Sequence, residues 1–85
     1  MYYVYIIFSK SLNKKYIGYT NDLKNRLLDH NSGYSKFTSQ GIPWRLIYYE
    51  VFNNQIDALN EEKFLKSGKG RDRLNFLLIN TIIKL

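Results

Sequence analysis

Arg26 and His30 stand four residues apart in a stretch where Leu23 and Leu27 recur at helical spacing. A helix there carries a guanidinium and an imidazole on one side, next to its apolar stripe. Further along, Glu62 falls among Ala58, Leu59 and Leu65 on the inward arc of a second helical stretch, while Glu61 lies further round, toward Phe64. Charges aimed close to a core need partners or a task, because an unpaired buried charge is costly. Tyr5 and Tyr16 fall on the two arms of a hairpin. If their faces and register agree, both hydroxyls meet at one edge of the sheet. Two phenols, an Arg, a His and a Glu, with no Cys and no second His, suit hydrolysis of a phosphodiester with one metal ion. In that chemistry the carboxylate holds the cation, the Arg balances charge built up at phosphorus, and a phenol or the imidazole handles the water's proton.

Each residue also has a purely structural role open to it. Arg26 can pair with Asp22 across one helical turn, Glu62 with Lys66 or with Arg26, and His30 can be a cation favoured by a helix C-terminus. Strand tyrosines ordinarily serve cross-strand packing.

The elements that must position these groups read as follows. Residues 2–8 are β-rich, and alternation puts Tyr3, Tyr5 and Ile7 on one face and Val4, Ile6 and Phe8 on the other. Apolar residues on both faces mark a strand covered on both sides. Residues 9–14 are turn material, and 15–19 form the returning strand of the hairpin. Thr20 or Asn21 caps a helix over about 22–30, with Asp22 in its first turn and Asn31-Ser32-Gly33 ending it. Residues 32–43 form a loop closed by Gly41-Ile42-Pro43. The stretch 44–52 is the strongest strand signal, dense in Trp, Tyr, Ile and Val. After Asn53-Asn54 a helix covers about 56–66, Ser67-Gly68-Lys69-Gly70 stops it, and a third helix covers about 71–84. The order β-β-α-β-α-α predicts one α+β domain over 1–85, a three-stranded antiparallel sheet flanked by helices.

Eighty-five residues leave room for one core, and 45% hydrophobic residues, including eight Tyr and five Phe, can fill it without covalent staples. The absence of Cys excludes disulfides, thiolate metal sites and cysteine nucleophiles. The opening residues lack the pattern of a signal peptide, and no run approaches the roughly 20 apolar residues of a membrane span. A cytoplasmic protein is expected. Thirteen Lys and Arg against seven Asp and Glu give a net charge of +6, which fits a polyanionic partner. Lys63, Lys66, Lys69, Arg71 and Arg73 surround the Ser67–Gly70 turn, and amides at the start of the following helix could hold a phosphate. The turn lacks the full spacing of a nucleotide-binding loop, and it reads more readily as a solvated helix junction with Gly68 and Gly70 as helix terminators. Lys15, Lys24, Lys36, Lys63, Lys66, Lys69 and Arg71 are the candidate nucleic-acid contacts.

Taken together, Tyr3-Val4-Tyr5, then Tyr16-Ile17-Gly18, resemble the two short segments that name the GIY-YIG nuclease superfamily. The run from Gly18 to Leu27, followed by His30-Asn31 and Gly33, is similar to the superfamily's first helix, and Ala58 to Lys66 resembles its metal-binding helix. The likeness covers about residues 2–72. Within the superfamily the chain looks most like the short stand-alone bacterial group, and it is similar to the N-terminal domain of the DNA-repair excinuclease. The resemblance implies that Tyr5 and Tyr16 are the motif tyrosines, one serving as general base or positioning the water. It implies that Arg26 stabilises the scissile phosphate, that Glu62 is the single protein ligand of Mg²⁺ or Mn²⁺, and that His30 relays a proton or contacts phosphate. Gly18 falls where backbone approaches the site. The first triplet departs from the pattern, with Tyr3 and Val4 in place of glycine and isoleucine. A second His or an Asn after the glutamate is common in the superfamily; this chain has no second His, and Asn75 and Asn80 are the asparagines available for the position. No separate DNA-binding domain is expected.

Three functions remain open on this sequence. The first is a metal-dependent endonuclease acting on branched, damaged or single-stranded DNA, in repair or recombination. The second is a non-catalytic nucleic-acid-binding module, whose use in cleavage calls for a protein partner or a homodimer. The third is a protein-interaction adaptor, favoured if Trp44, Tyr48 and Tyr49 form an exposed aromatic surface.

Overall fold

The computed structural model describes residues 1–85. β1 (Tyr2–Ser9) is flanked by β2 (Lys14–Thr20) and β3 (Trp44–Phe52), both antiparallel to it, giving the strand order β2-β1-β3. The β1–β2 turn spans residues 10–13 and closes with Asn13 at φ 52, a left-handed conformation that Asn tolerates better than most residues. The β1–β3 pairing slips between Ile6, opposite Tyr48, and Ile7, opposite Leu46, so Ile47 is the extra residue of a bulge.

The alternation along β1 divides the molecule into two cores. Val4 and Ile6 pack with Ala58, Leu65, Leu74 and Leu78 under α2 (Gln55–Leu65), α3 (Gly68–Leu77) and α4 (Ile79–Ile83). Tyr5 and Ile7 pack with Trp44, with Leu23 and Leu27 of α1 (Leu23–Ser32) against them. The sheet is therefore covered by one helix on one face and three on the other, as the doubly apolar pattern of β1 requires.

The helix ends depart from expectation in instructive ways. Asp22 is itself the N-cap of α1, its carboxylate accepting from the Asn25 amide at 3.2 Å, in place of Thr20 or Asn21. The helix runs on to Ser32 and ends at Gly33. The loop after it contains a 3₁₀ turn, Ser39–Gly41, and a cis Ile42–Pro43 bond. Asn54 caps α2 by accepting from the amides of Ile56 and Asp57. The Ser67–Gly70 segment does more than stop α2: Ser67 is the N-cap of α3, accepting from the Gly70 amide at 3.2 Å, so both glycines lie inside the first turn of the next helix. The expected single helix over 71–84 is two, broken at Leu78, which is buried while Ile82 beyond the break packs on the same core.

Candidate active site

In the β1–β2 register Tyr5 lies opposite Gly18 and Ile7 opposite Tyr16, which makes the two tyrosines diagonal neighbours on one face. Their ring centroids are 6.4 Å apart. The Tyr5 ring lies across Gly18: a Cβ there would stand 2.4 Å from the ring's Cζ and from its hydroxyl. Gly18 is thus the close approach that lets a large ring fold over the neighbouring strand. β1 is hydrogen-bonded on both sides and β2 on one, so Tyr5 is buried while Tyr16, on the edge strand, is half-buried.

α1 delivers Arg26 and His30 from one of its faces to this pair. The imidazole of His30 has no exposed surface; it sits 5.7 Å from the Tyr5 ring and 5.0 Å from the Tyr16 ring, edge-on to the latter. Its Nε2 is 2.7 Å from the Tyr5 hydroxyl and its Nδ1 is 2.8 Å from the Thr38 hydroxyl. Thr38 is buried as well, and its carbonyl accepts from the Trp44 indole at 2.6 Å. Asn31 clamps Trp44 from the other side, accepting from its backbone amide at 2.6 Å and donating to its carbonyl at 3.0 Å. Thr38, Asn31 and Trp44 thus hold the imidazole in place.

The protonation states follow from these surroundings. Burial pushes the Tyr5 phenol up to about 12; the neighbouring Arg26 opposes that rise, while Tyr16 and Glu62 add to it. Burial, followed by the Arg26 charge, lowers His30 below its ordinary value near 6.5. Burial disfavours the charge on Arg26, but the two phenols beside it outweigh that and raise its pKa. At neutral pH the set is therefore a phenol, a neutral imidazole and a guanidinium. With a donor-only guanidinium on its other side, the Tyr5 O–H points to His30 Nε2. The imidazole then carries its proton on Nδ1 and donates it to Thr38. The expected reading of His30 as a cation at the helix end is corrected by this burial.

The pH dependence has a definite sign. The unfolded chain protonates His30 more readily than the folded one, so stability is full above pH 6.5 and falls as the pH drops below it. For Tyr5 the folded state holds its proton longer, so stability is full below pH 10 and falls between 10 and 12, by on the order of 2 kcal/mol. Urea melts of Tyr5→Phe should lose most of that alkaline slope, and His30→Gln most of the acid slope. Slopes equal to wild type in both variants would contradict the assignment.

Glu62 reaches the site from the opposite layer, on α2. It is half-buried, near enough to act on the Tyr5 phenol, and paired with Lys66 at 3.2 Å, one turn along its own helix, in preference to Arg26. Arg26 does not pair with Asp22, whose carboxylate is taken up by Asn25. Glu61 faces Arg73 at 4.0 Å and the Glu50 carboxylate on β3; burial and then Glu50 push its carboxyl up. Its partners are structural. Of the expected group, then, Tyr5, Tyr16, Arg26 and His30 form one contiguous cluster, with Glu62 in electrostatic reach.

Beside the cluster, a cleft of about 680 Å³ opens between β2 and α3. Lys14, Lys15, Lys66 and Arg71 line it, together with Tyr16 and Asn75. Tyr16 is a wall of both cleft and cluster. Asn75 accepts from Lys15 at 3.4 Å, whereas Asn80 is exposed on α4. Of the expected nucleic-acid contacts, Lys15, Lys66 and Arg71 share this cleft, joined by Lys14, which nothing in the sequence singles out. Lys24 borders a shallow depression beside Tyr3, Lys36 lies on the loop after α1, and Lys63 and Lys69 are exposed outside the cleft. Trp44 is only 6% exposed and Tyr48 half-buried, so of the expected aromatic surface Tyr49 alone faces solvent.

A hairpin bearing two tyrosines, a glycine under one of them, and an Arg–His helix define the architecture of a GIY-YIG catalytic domain. The family model of that description matches residues 1–75, and the chain belongs to the GIY-YIG family. It is similar to the UPF0213 protein in the ldhD 5′ region of Pediococcus acidilactici, at 38% identity over 96% of this chain and 86% of the relative. It is also similar to a UPF0213 protein of Streptococcus pyogenes serotype M5 (strain Manfredo), at 44% identity over 68% of this chain. That alignment spans 64% of the streptococcal protein, just under two thirds of its length. Among solved structures, the solution NMR structure of a UPF0213 protein from Bacillus halodurans shares the fold with a TM-score of 0.56. The two are 33% identical, over 91% of this chain and 85% of the other. No helix is long and apolar enough to cross a membrane.

Proposed function

We propose that this chain is a divalent-metal-dependent endonuclease that hydrolyses DNA phosphodiester bonds in the cytoplasm, serving repair or recombination. The observation that carries the reading is the convergence of Tyr5, Tyr16, Arg26 and His30 at one place, bordered by a cleft lined with four cations. A domain that only needed to pack would not place a guanidinium between two phenols beside a basic cleft.

The roles divide by accessibility. Tyr16 and Arg26 are half-buried and meet the substrate: Arg26 balances the charge gathering on the non-bridging oxygens, and the Tyr16 phenol orients the attacking water. Water attacks phosphorus, one bridging P–O bond breaks, the water gives up a proton, and the departing alkoxide takes one. Tyr5 and His30 are enclosed, each already engaged, so they are positioning residues that hold Tyr16 and Arg26 in register. Glu62 is the carboxylate that acts on the Tyr5 phenol, and a single carboxylate fits Mg²⁺ or Mn²⁺, which fill the rest of their shell with water and substrate phosphate. When bound there, the ion supplies Lewis-acid stabilisation of phosphate charge. Lys66 must give up its hold on Glu62 for that.

Labelled plasmid, branched and single-stranded DNA incubated with Mg²⁺ or Mn²⁺ test the reading. Cleavage by the wild type that stops with chelator and falls about 100-fold or more in Glu62→Gln is expected. Chelator-insensitive cleavage, or Glu62→Gln cutting as fast as wild type, would refute the metal role. The Lys66–Glu62 pair favours one second reading, a nucleic-acid-binding module whose carboxylate is occupied by its own lysine. Under it the wild type binds DNA with steep salt dependence, cuts none of these substrates, and is joined in cleavage by a protein partner or a second copy.

A further inference from the structure

Tyr34 and Phe37 are the two most solvent-exposed large apolar side chains in the protein, at 85% and 90%. Aromatic rings are costly to leave in water and usually find cover. These two are held out by the backbone. The Ser35 carbonyl accepts from the amides of Thr38 and Ser39, at 3.2 and 2.9 Å, and the Ser39 hydroxyl donates to the Lys36 carbonyl. That turn puts Lys36 and Phe37 at its tip. Tyr34 follows directly on Gly33, the left-handed residue that ends α1.

The loop is pinned to the candidate site at both ends. It leaves the end of α1, whose last turn carries His30, and returns at Thr38, and those two side chains are 2.8 Å apart. Phe37 is one peptide from Thr38, a Cα spacing of about 3.8 Å. Phe37 is thus exposed on a loop whose next residue, Thr38, is anchored to the cluster through His30. The neighbours of Tyr34 and Phe37 along the chain, Ser35, Lys36, Ser39 and Gln40, are small, polar or cationic, which sets the two rings in a polar, positively charged segment. Two isolated π-faces with an ammonium group between them match a strand whose bases are unstacked and whose phosphates are at hand.

We propose that Tyr34 and Phe37 form a stacking platform for unpaired nucleobases, which makes locally single-stranded nucleic acid the preferred ligand of this site. The proposal deepens the nucleic-acid reading given above and rests on it.

Fluorescence anisotropy in the presence of chelator, which removes any divalent-metal-dependent cutting, tests it directly. The probes are a labelled oligothymidylate and an abasic oligomer of the same length, which offers the same phosphates without bases. The wild type should bind the thymidylate at least about tenfold more tightly. Tyr34→Ala/Phe37→Ala should bind both oligomers alike, with abasic affinity and melting temperature unchanged, and Phe37→Trp should restore the difference where Phe37→Leu does not. Equal binding of the two probes by the wild type would overturn the proposal, as would a preference that survives in the double variant. So would self-association of the wild type that the double variant abolishes, since the rings would then be a contact between copies. Failure of the nuclease reading is separable: base-dependent binding without any cleavage leaves the platform standing, and cleavage without base-dependent binding leaves only the nuclease.

Discussion

Arg26→Ala should lower the single-turnover rate of DNA cleavage by about 10²–10³-fold while leaving the fold intact. Arg26 carries a positive charge that acts on both phenols, and no carboxylate is ion-paired with it. Its charge is therefore available to the phosphate in the transition state and is not already neutralised by the protein. Because it is half-buried on the surface of α1, truncation removes little apolar packing, and a melting temperature close to wild type is expected. Arg26→Lys should recover only a small part of the rate, since a point charge cannot bridge two phenols and a phosphate as a planar fork does. Relief of the Arg26 field leaves a second trace: the His30 pKa should rise, because that charge is one of the two causes holding it down. A variant that cuts at the wild-type rate, or one that loses activity only by unfolding, would remove Arg26 from the chemistry.

The second large effect is on stability and falls at the junction of α2 and α3. Gly70→Ala should destabilise the domain by about 3 kcal/mol or more, a loss on the order of 12 °C in melting temperature. A Cβ at Gly70 would stand 2.0 Å from the Phe64 carbonyl oxygen and 2.6 Å from the Leu65 Cα. Both are backbone atoms at the end of α2, so no side-chain rotation relieves the overlap and α3 must move off α2. That movement would also pull Arg71 and Lys66 apart in the basic cleft. Gly68→Ala is the control: nothing lies within 4 Å of its Cβ, and a helical first turn accepts Ala without strain, so it should be neutral or slightly stabilising. Thermal melts that shift equally in the two variants would show that the α2–α3 approach is looser than its geometry.

These two positions show what can be read from the chain and what cannot. The three strands, the split of β1 into Val4/Ile6 and Tyr5/Ile7 faces, and the pairing of Arg26 with His30 follow from periodicity, because burial on both sides of a central strand and on one side of a helix leaves a repeating mark. The junction at Ser67–Gly70 reads as a stop because a Ser followed by two glycines looks the same whether it ends one helix or caps the next; only the packing of α3 on α2 tells them apart. Tyr5 and Tyr16 look interchangeable because strand order is a tertiary fact: the central position of β1 encloses one and the edge position of β2 leaves the other accessible. Thr38 gives no signal and Asn31 reads only as helix-end and motif material, since a hydroxyl in a loop and an amide at a helix end acquire their role as supports only when the loop folds back on His30 and Trp44.

The central claim is that groups from α1 and α2, on opposite faces of the sheet, act on one phosphate. A double-mutant cycle on plasmid nicking measures this most directly, comparing wild type, Arg26→Ala, Glu62→Ala and the double variant under single-turnover conditions with Mg²⁺ or Mn²⁺. Residues that serve one transition state fail together, so the double variant should cut within about threefold of the slower single variant. Losses that multiply in full, or a wild type that nicks no substrate while folded, would contradict a single shared site.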